Sequence, residues 1–336
     1  MSVGEACALI EALKKPLLVM SGSGISASSG LATFSAADGL YERARKRFKL
    51  KHGMDLFQWW FYEERPADAQ SFLARMCERA MTCAPTKTHE ALFVLEKRGF
   101  LRRHYTMNID GLQSLAGATL WHPRDAIGRD GKTVELHGNL RELVDAASGD
   151  VYAVDAAALA RLKANKPAFG EEEGDRPKPL YNILVSKKST SKKKRKRGGQ
   201  QRKNARRDPP LGVRLRVMFY DDHEHDRVID SEAVYKLIST DVPHVDIVLW
   251  LGISFEQSAS CDYLRRVHRT QPDLVHLVVN PSPEAAFNAR SCLDNPDAAD
   301  LRFIRATSDD LFAALLVHTT LFNDPPRLAS SSSSSS

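Results

Sequence analysis

Seven short strand-like runs, most of them largely apolar, punctuate this chain: Leu17–Met20, Leu101–Thr106, Val134–Leu136, Leu215–Tyr220, Asp246–Leu251, Leu274–Val279 and Leu301–Ile304. Between them lie stretches with helical periodicity, among them Ala67–Thr82, Thr88–Lys97, Ser231–Thr240, Ser258–His268 and Ser308–His318. Continuous apolar runs are strands buried on both faces, and helices alternating with them supply the two covers. The pattern predicts an α/β fold, a Rossmann-like and mostly parallel sheet with helices on both faces. At 336 residues the chain has room for one large domain of this kind or two modest ones.

Such sheets bind ligands beyond the carboxyl ends of their strands, and here those ends carry the unusual residues. The first run leads into Gly22-Ser23-Gly24-Ile25-Ser26, the second into Asn108-Ile109-Asp110 and the third into His137-Gly138. Later runs end in Asp221-Asp222, Gly252-Ile253-Ser254 and Asn280. A two-glycine loop before a helical start lets a ligand approach the main chain and meet free N–H groups. Alone it equally describes a tight strand-to-helix connection. Polar groups recurring at one rim have no packing rationale, and they point to a ligand site.

Two stretches interrupt the alternation. Residues 38–84 begin with an aromatic-rich segment around Trp59, Trp60 and Phe61 and read as a small helical lid. Residues 139–213 hold a short helical pattern at Val154–Leu162 and then the run "KKSTSKKKRKRGGQQRKNARR" from Lys187 to Arg207. That run contains twelve Lys/Arg and no acid; the chain has 48 basic and 42 acidic residues, so the remainder carries 36 against 42, a net −6. The positive charge is therefore local. With almost no apolar residue the run reads as disordered, and as a nuclear-import signal or a non-specific nucleic-acid contact. The serine tract from Ser330 to Ser336 has nothing to bury, so 321–336 reads as a disordered tail.

No apolar run approaches the ~20 residues of a membrane span, and no membrane partner is expected. The start, "MSVGEACALIEALKK", reads as an amphipathic helix rather than a secretion signal. The five cysteines, Cys7, Cys77, Cys83, Cys261 and Cys292, are odd in number and scattered. They suit a reducing compartment and small buried hydrophobes rather than a disulfide framework or a zinc site.

With its strand ends in this order the sequence resembles the sirtuin family of NAD-dependent protein lysine deacylases. The family's G-A-G-I-S-x-x-S-G-I-P-D-F-R pattern is matched from Gly22 to Ser35, followed by Gly39-Leu40-Tyr41. Pro85-Thr86-Lys87-Thr88-His89, Thr106-Met107-Asn108-Ile109-Asp110, His137-Gly138, Gly252-Ile253-Ser254 and Val279-Asn280 follow in the family's order. "LRVMFYDD" and "GMDLFQWWFY" resemble the fungal nuclear histone-deacetylase branch. The resemblance implies a discontinuous NAD-binding domain, 1–37, 85–138 and 214–320, with 139–213 in place of the family's zinc module. It implies a nuclear enzyme that removes acyl groups from lysines of histones or other basic proteins, releasing nicotinamide and O-acyl-ADP-ribose.

By the same resemblance His137 is the general base and Asn108 positions the ribose or a water. Gly22, Ser23, Gly24, Ile25, Ser26, Phe34, Ile109, Asp110, Gly252, Ser254 and Asn280 bind NAD. Val217, Phe219 and Tyr220 line the acyl-lysine channel, where an extended peptide pairs as an added strand. The departures are chemical. Thr33 and Ser35 stand for the family's Asp and Arg, Met107 for its Gln, Ala32 for its Pro and Ile253 for its Thr. No Cys or His occurs between Gly138 and Arg216, so no zinc is expected. A second reading is a weak or inactive sirtuin-fold protein that binds NAD or ADP-ribose and acts as a nuclear interaction partner. A third, an NAD-linked oxidoreductase, lacks the acid expected about 20 residues past the glycine loop, because Glu42 falls in the lid.

Overall fold

The computed structural model describes residues 1–13, 15–31, 39–122, 130–170, 176–183, 212–221 and 228–318. The helices are α1 (Val3–Glu11), α2 (Leu40–Phe48), α3 (Trp59–Glu64), α4 (Pro66–Met81), α5 (Lys87–Lys97), α6 (Leu112–Leu115), α7 (Ala156–Lys163), α8 (Ser231–Asp241), α9 (Ser258–Thr270), α10 (Glu284–Ser291) and α11 (Ser308–His318). The strands are β1 (Leu17–Ser21), β2 (Leu101–Thr106), β3 (Thr133–Glu135), β4 (Gly138–Asp145), β5 (Asp150–Ala153), β6 (Tyr181–Asn182), β7 (Val213–Val217), β8 (Ile247–Leu251), β9 (Val275–Val279) and β10 (Leu301–Ile304).

Six strands form one sheet in the order β10-β9-β8-β1-β2-β3, and every neighbouring pair is parallel. The centre of this sheet is β1 (LLVMS) and β8 (IVLWL), both buried along their whole length. Side chains of one face, such as Leu17, Val19, Leu249 and Leu277, pack with α1, α5 and α11. Those of the other, such as Leu18, Met20, Val248 and Trp250, pack with α8, α9 and α10. Alternating side chains thus feed two separate cores, as the period-two geometry of a strand requires. Local signals set the helix starts: Ser2 and Glu5 form a reciprocal cap on α1, and Asp230 accepts from Ala233 N at the start of α8.

The run expected at Leu215–Tyr220 departs from the parallel sheet. Its strand, β7, pairs antiparallel with β4 in a second, four-stranded sheet ordered β6-β5-β4-β7. The reason is chain direction. β3 ends at Glu135, Gly138 adopts φ 88°, and β4 begins there after only two intervening residues, too short a link for a parallel crossover. A Cβ at Gly138 would lie 2.0 Å from the Arg216 carbonyl oxygen, so only glycine fits this turn. The second sheet shares a core with α2, α3, α4 and α7, built on Phe57, Phe61, Tyr62, Leu73, Leu143, Leu215 and Phe219. The lid and the insertion are therefore packed on each other. The basic run Lys187–Arg207, Phe34 with its neighbours Ala32, Thr33 and Ser35, and the serine tail lie outside the described residues.

The cysteine expectation needs one correction. Cys261 and Cys292, Cα atoms 5.0 Å apart, are joined as a disulfide between α9 and the residue capping α10. Their 31-residue separation hid a spatial adjacency created by packing both helices on one face of the sheet. Cys7 and Cys77 are buried free thiols. Among the described residues, no helix is long and apolar enough to cross a membrane.

Candidate active site

The carboxyl ends of β1, β2, β3 and β8 converge on a cavity of about 870 Å³. The β1 and β8 loops meet backbone to backbone. Gly22 N donates to Leu251 O and Gly24 N to Gly252 O, each at 3.0 Å. A Cβ on Gly24 would lie 2.5 Å from Gly252 Cα, and Gly252 itself adopts φ 61°. Glycine is needed here for loop-to-loop contact, and Gly22, Ser23, Gly252 and Ser254 thereby reach the cavity wall.

The end of β2 is held by a chain of polar contacts. Buried Ser21 Oγ lies 2.7 Å from His104 Nε2 and donates to Thr106 Oγ1 at 2.9 Å. Thr106 in turn accepts from Asn108 N at 3.1 Å. Asn108 Nδ2 donates to Ser26 Oγ at 3.2 Å, and Ser26 Oγ donates to Asp110 Oδ2 at 2.7 Å. Leu112 N completes the set on Asp110 Oδ1 at 2.9 Å. The side chains of Ser26, Asn108 and Asp110 are thus fixed before any ligand arrives. Burial, with His89 nearby, holds the His104 imidazole neutral, down to about 3.

His137 follows β3 and lines the same cavity as Asn108, Ile109 and Gly22. Its main-chain oxygen accepts from Met218 N at 3.0 Å, which ties it to the segment after β7. Burial pushes its imidazole down to about 4, against a hydrogen bond with the Met107 main chain that works to raise it. At neutral pH the ring is uncharged and has an acceptor nitrogen.

Val217, Met218, Phe219, Tyr220 and Asp221 form the opposite wall. The lid docks on this wall: Tyr220 N donates to Phe57 O at 2.7 Å and Trp59 N to Tyr220 O at 2.9 Å. Tyr41 and Tyr220 hydrogen-bond through their side chains, and burial raises both phenols. Asp222 lies outside the described residues.

Not every expected site residue borders this space. Ser26 and Asp110 face a second cavity of about 280 Å³ that shares Ser23, Asn108 and Ile109 with the first. Ile25 is buried in the core beneath the loop. Asn280 spans two loops, donating to Ile253 O and accepting from Ser282 N, each at 2.9 Å. Several wall residues escaped the sequence reading, notably Tyr41, Phe57 and Gln257. Gln257 caps α9, and its Oε1 is buried without a partner among the described residues. Its place directly after the Gly252-Ile253-Ser254 strand end was the available signal. Among the described residues no group of three or more His, Cys, Asp or Glu is arranged to hold a metal ion.

The Sir2 family model matches residues 22–258. An NAD-dependent protein deacetylase, hst4 of Emericella nidulans, is 24% identical over 289 residues, covering 83% of this chain and 44% of that protein. The NAD-dependent histone deacetylase HST3 of Saccharomyces cerevisiae is 32% identical over 136 residues, covering 37% of this chain and 30% of the relative. The chain spans less than half the length of these two relatives. The fold matches a crystal structure of a Sir2 homologue–NAD complex, TM-score 0.59 at 20% identity over 94% of this chain and 93% of that one. A structure described as showing the mechanism and regulation of Sir2 enzymes aligns with TM-score 0.60 at 17% identity, over 94% and 96% of the two chains.

Proposed function

The chain belongs to the Sir2 family, and from that premise we propose that it is an NAD-dependent protein lysine deacylase acting on histones or other basic proteins in the nucleus. The observation that carries this reading is His137, a neutral imidazole on the wall of a large cavity formed by the sheet's carboxyl ends. Two features of that cavity suit a dinucleotide. Its volume of about 870 Å³ is at the upper end of small-molecule sites. Gln257 Oε1 is a buried acceptor awaiting a donor, such as a ribose hydroxyl.

When bound, NAD supplies a ribosyl carbon activated by its nicotinamide leaving group. The protein's part is positioning and proton transfer. His137 accepts a proton from a ribose hydroxyl at the ring nitrogen not committed to Met107. Asp110, already oriented by Ser26 and Leu112, holds the nicotinamide carboxamide. Asn108 orients the ribose or a water. Gly22, Ser23 and Gly24 bring the main chain close to the phosphates, with Ile25 and Asn280 supporting the loops beside them. Gly252 and Ser254 meet a ribose.

The acyl-lysine enters past Val217, Phe219 and Tyr220. Met218 and Tyr220 have their main-chain bonds within the protein, so the alternate residue, Phe219, is the one placed to pair with an extended peptide. The histone preference and nuclear setting draw on the names of the relatives and on the basic run Lys187–Arg207 as an import signal and nucleic-acid contact.

The test is incubation with acetylated histone peptide and NAD, following free nicotinamide. The expected result is release by the parent protein and at least a hundredfold loss in His137→Gln, with ADP-ribose binding retained. No release by the parent, or full release by the variant, overturns the reading.

A further inference from the structure

The wall of the large cavity continues past His137 and the strand ends onto two helices. On one side it runs from Asp221 to Tyr235 of α8, and on the other from Gln257 along α9 to Arg266 and Arg269. Asp221 follows Tyr220, past which the proposed acyl-lysine enters, so this arm prolongs the path of a bound peptide. Arg265, Arg266 and Arg269 all line it, with Asp262 beside them. Arg265 pairs with Asp262 at 2.8 Å and also donates to the Cys292 carbonyl at 2.6 Å. The other two guanidinium groups are in surplus. Arg266 is exposed, has no carboxylate partner among the described residues, and lies 3.9 Å from the centre of the Tyr235 ring. Arg269 meets Asp294 at 3.2 Å, with the two side chains 69% and 82% exposed. An ion pair so open to water holds its arginine weakly.

Tyr235 fixes the place of one guanidinium, because a ring face attracts a cation. Arg266 and Arg269, at i and i+3, share one side of α9. Two arginine forks side by side suit a phosphate, whose double charge and free oxygens accept from several donors at once. The spacing sets where that phosphate belongs on a substrate. α9 begins at Ser258, and at 1.5 Å per residue the two arginines lie roughly 12 and 17 Å further along. An extended peptide advances ~3.3 Å per residue, so it covers this distance in about four or five residues. Resting on the deacylase reading, we propose that Arg266 and Arg269 form a subsite for a phosphorylated side chain about four or five residues from the acyl-lysine. The protein thereby selects substrates that carry both marks.

The test is peptide binding by the full chain without NAD, so turnover does not enter. Fluorescence anisotropy compares neutral Gly/Ser/Ala peptides around one acetyl-lysine, each with a single phosphoserine at a different distance on either side. Phosphoserine about four or five residues away on one side should bind at least fivefold more tightly than its unphosphorylated parent. Phosphoserine adjacent to the acetyl-lysine, or equally far on the other side, should gain less than twofold. Arg266→Gln with Arg269→Gln should abolish the gain, leaving the unphosphorylated peptide and the thermal transition unchanged. Equal gains at every position would reflect the general field of the protein. A gain kept by the double variant would place the phosphate elsewhere. A short DNA duplex that displaces the phosphopeptide, and binds the double variant at least tenfold more weakly, would assign these arginines to nucleic acid. Each of these three results overturns the proposal. If the unphosphorylated peptide binds and phosphate adds nothing at any position, the subsite fails and the deacylase reading stands. If no acetyl-peptide binds, both fail.

Discussion

Arg216 on β7 reaches across to Glu135 at the end of β3, Nη2 to Oε2 at 2.6 Å, and so ties the antiparallel sheet to the parallel one two residues before His137. The same guanidinium takes Glu142 of β4 through Nε at 2.5 Å. Asn139 donates to Glu135 and Tyr181 to Glu142, each at 2.7 Å, closing a buried polar network. Removing one partner from such a network strands the others. Arg216→Ala is expected to destabilise the protein by about 3–5 kcal/mol. Replacing Arg216, Glu135 and Glu142 together with apolar residues of similar volume should cost far less. Urea unfolding of the two variants checks this, and equal losses would contradict the network argument.

That network also explains what the sequence left illegible. Strands β1, β8 and β9 were readable because both faces are apolar and the runs are continuous. β4, "GNLRELVD", buries Glu142 and went unread, while β7, "VRLRV", buries Arg214 and Arg216 and was read only from Leu215 onward and in the wrong sheet. Their charges are matched across strands or, for Arg214, stacked on Trp59, Tyr62 and Phe219 at 5.3–5.5 Å. Pairings of this sort exist only in three dimensions. The rim residues were legible because each sits where a parallel strand stops. Gln257 was not, since it enters the site at the start of α9, outside any motif.

Acid stability follows from the buried histidines. Burial holds His104 at about 3 and His276 at about 4, and His137 at about 4, against an ordinary value of 6.5. The unfolded chain binds these protons first, so their contribution is complete above pH 6.5 and is lost as pH falls toward 4. Glu135 works the other way: burial lifts it to about 7 from 4.5, so its contribution is complete below pH 4.5 and lost as pH rises through 7. Three groups outweigh one between pH 6.5 and 4.5. Stability should drop there by roughly 1–3 kcal/mol per pH unit. Urea midpoints that stay flat or rise on acidification over this range would refute it.

Zinc removal offers a different check. The second sheet is closed by the Arg216 network and by the apolar core around Leu143 and Leu215. Overnight chelation should leave the thermal transition unmoved, and metal analysis should find no stoichiometric zinc. One zinc per chain, or a lowered transition, would mean that another element closes this module.

The basic run Lys187–Arg207 has nothing to bury, so its deletion should leave the urea midpoint within about 0.5 kcal/mol of the parent. Nucleic-acid binding by the parent should fall steeply between low and physiological salt, because each neutralised phosphate releases a counterion. The deleted form should lose both that binding and nuclear import. Retained import, or a salt-independent interaction, would assign these properties elsewhere in the chain.

The last prediction separates two glycines of one loop. Gly24 sits where an alanine Cβ would lie 2.5 Å from Gly252 Cα and 2.9 Å from its carbonyl oxygen. Both obstacles are main chain and cannot rotate away. Gly24→Ala must therefore push the β1 and β8 loops apart, break the Gly24 N to Gly252 O bond, and displace Ser23 and Ser254 from the cavity wall. Overpacking of this kind costs about 1–3 kcal/mol, and ADP-ribose affinity should fall at least tenfold. Gly30, eight residues after Gly22, adopts φ 85° but has nothing within 4 Å of an added Cβ. Gly30→Ala then meets only the backbone cost of a left-handed residue, roughly 1–2 kcal/mol, and is expected to keep ADP-ribose binding within twofold. Calorimetry on both variants, alongside their urea midpoints, distinguishes the two effects. Equal affinity losses at similar stability would mean that the approach of the two loops does not shape the site.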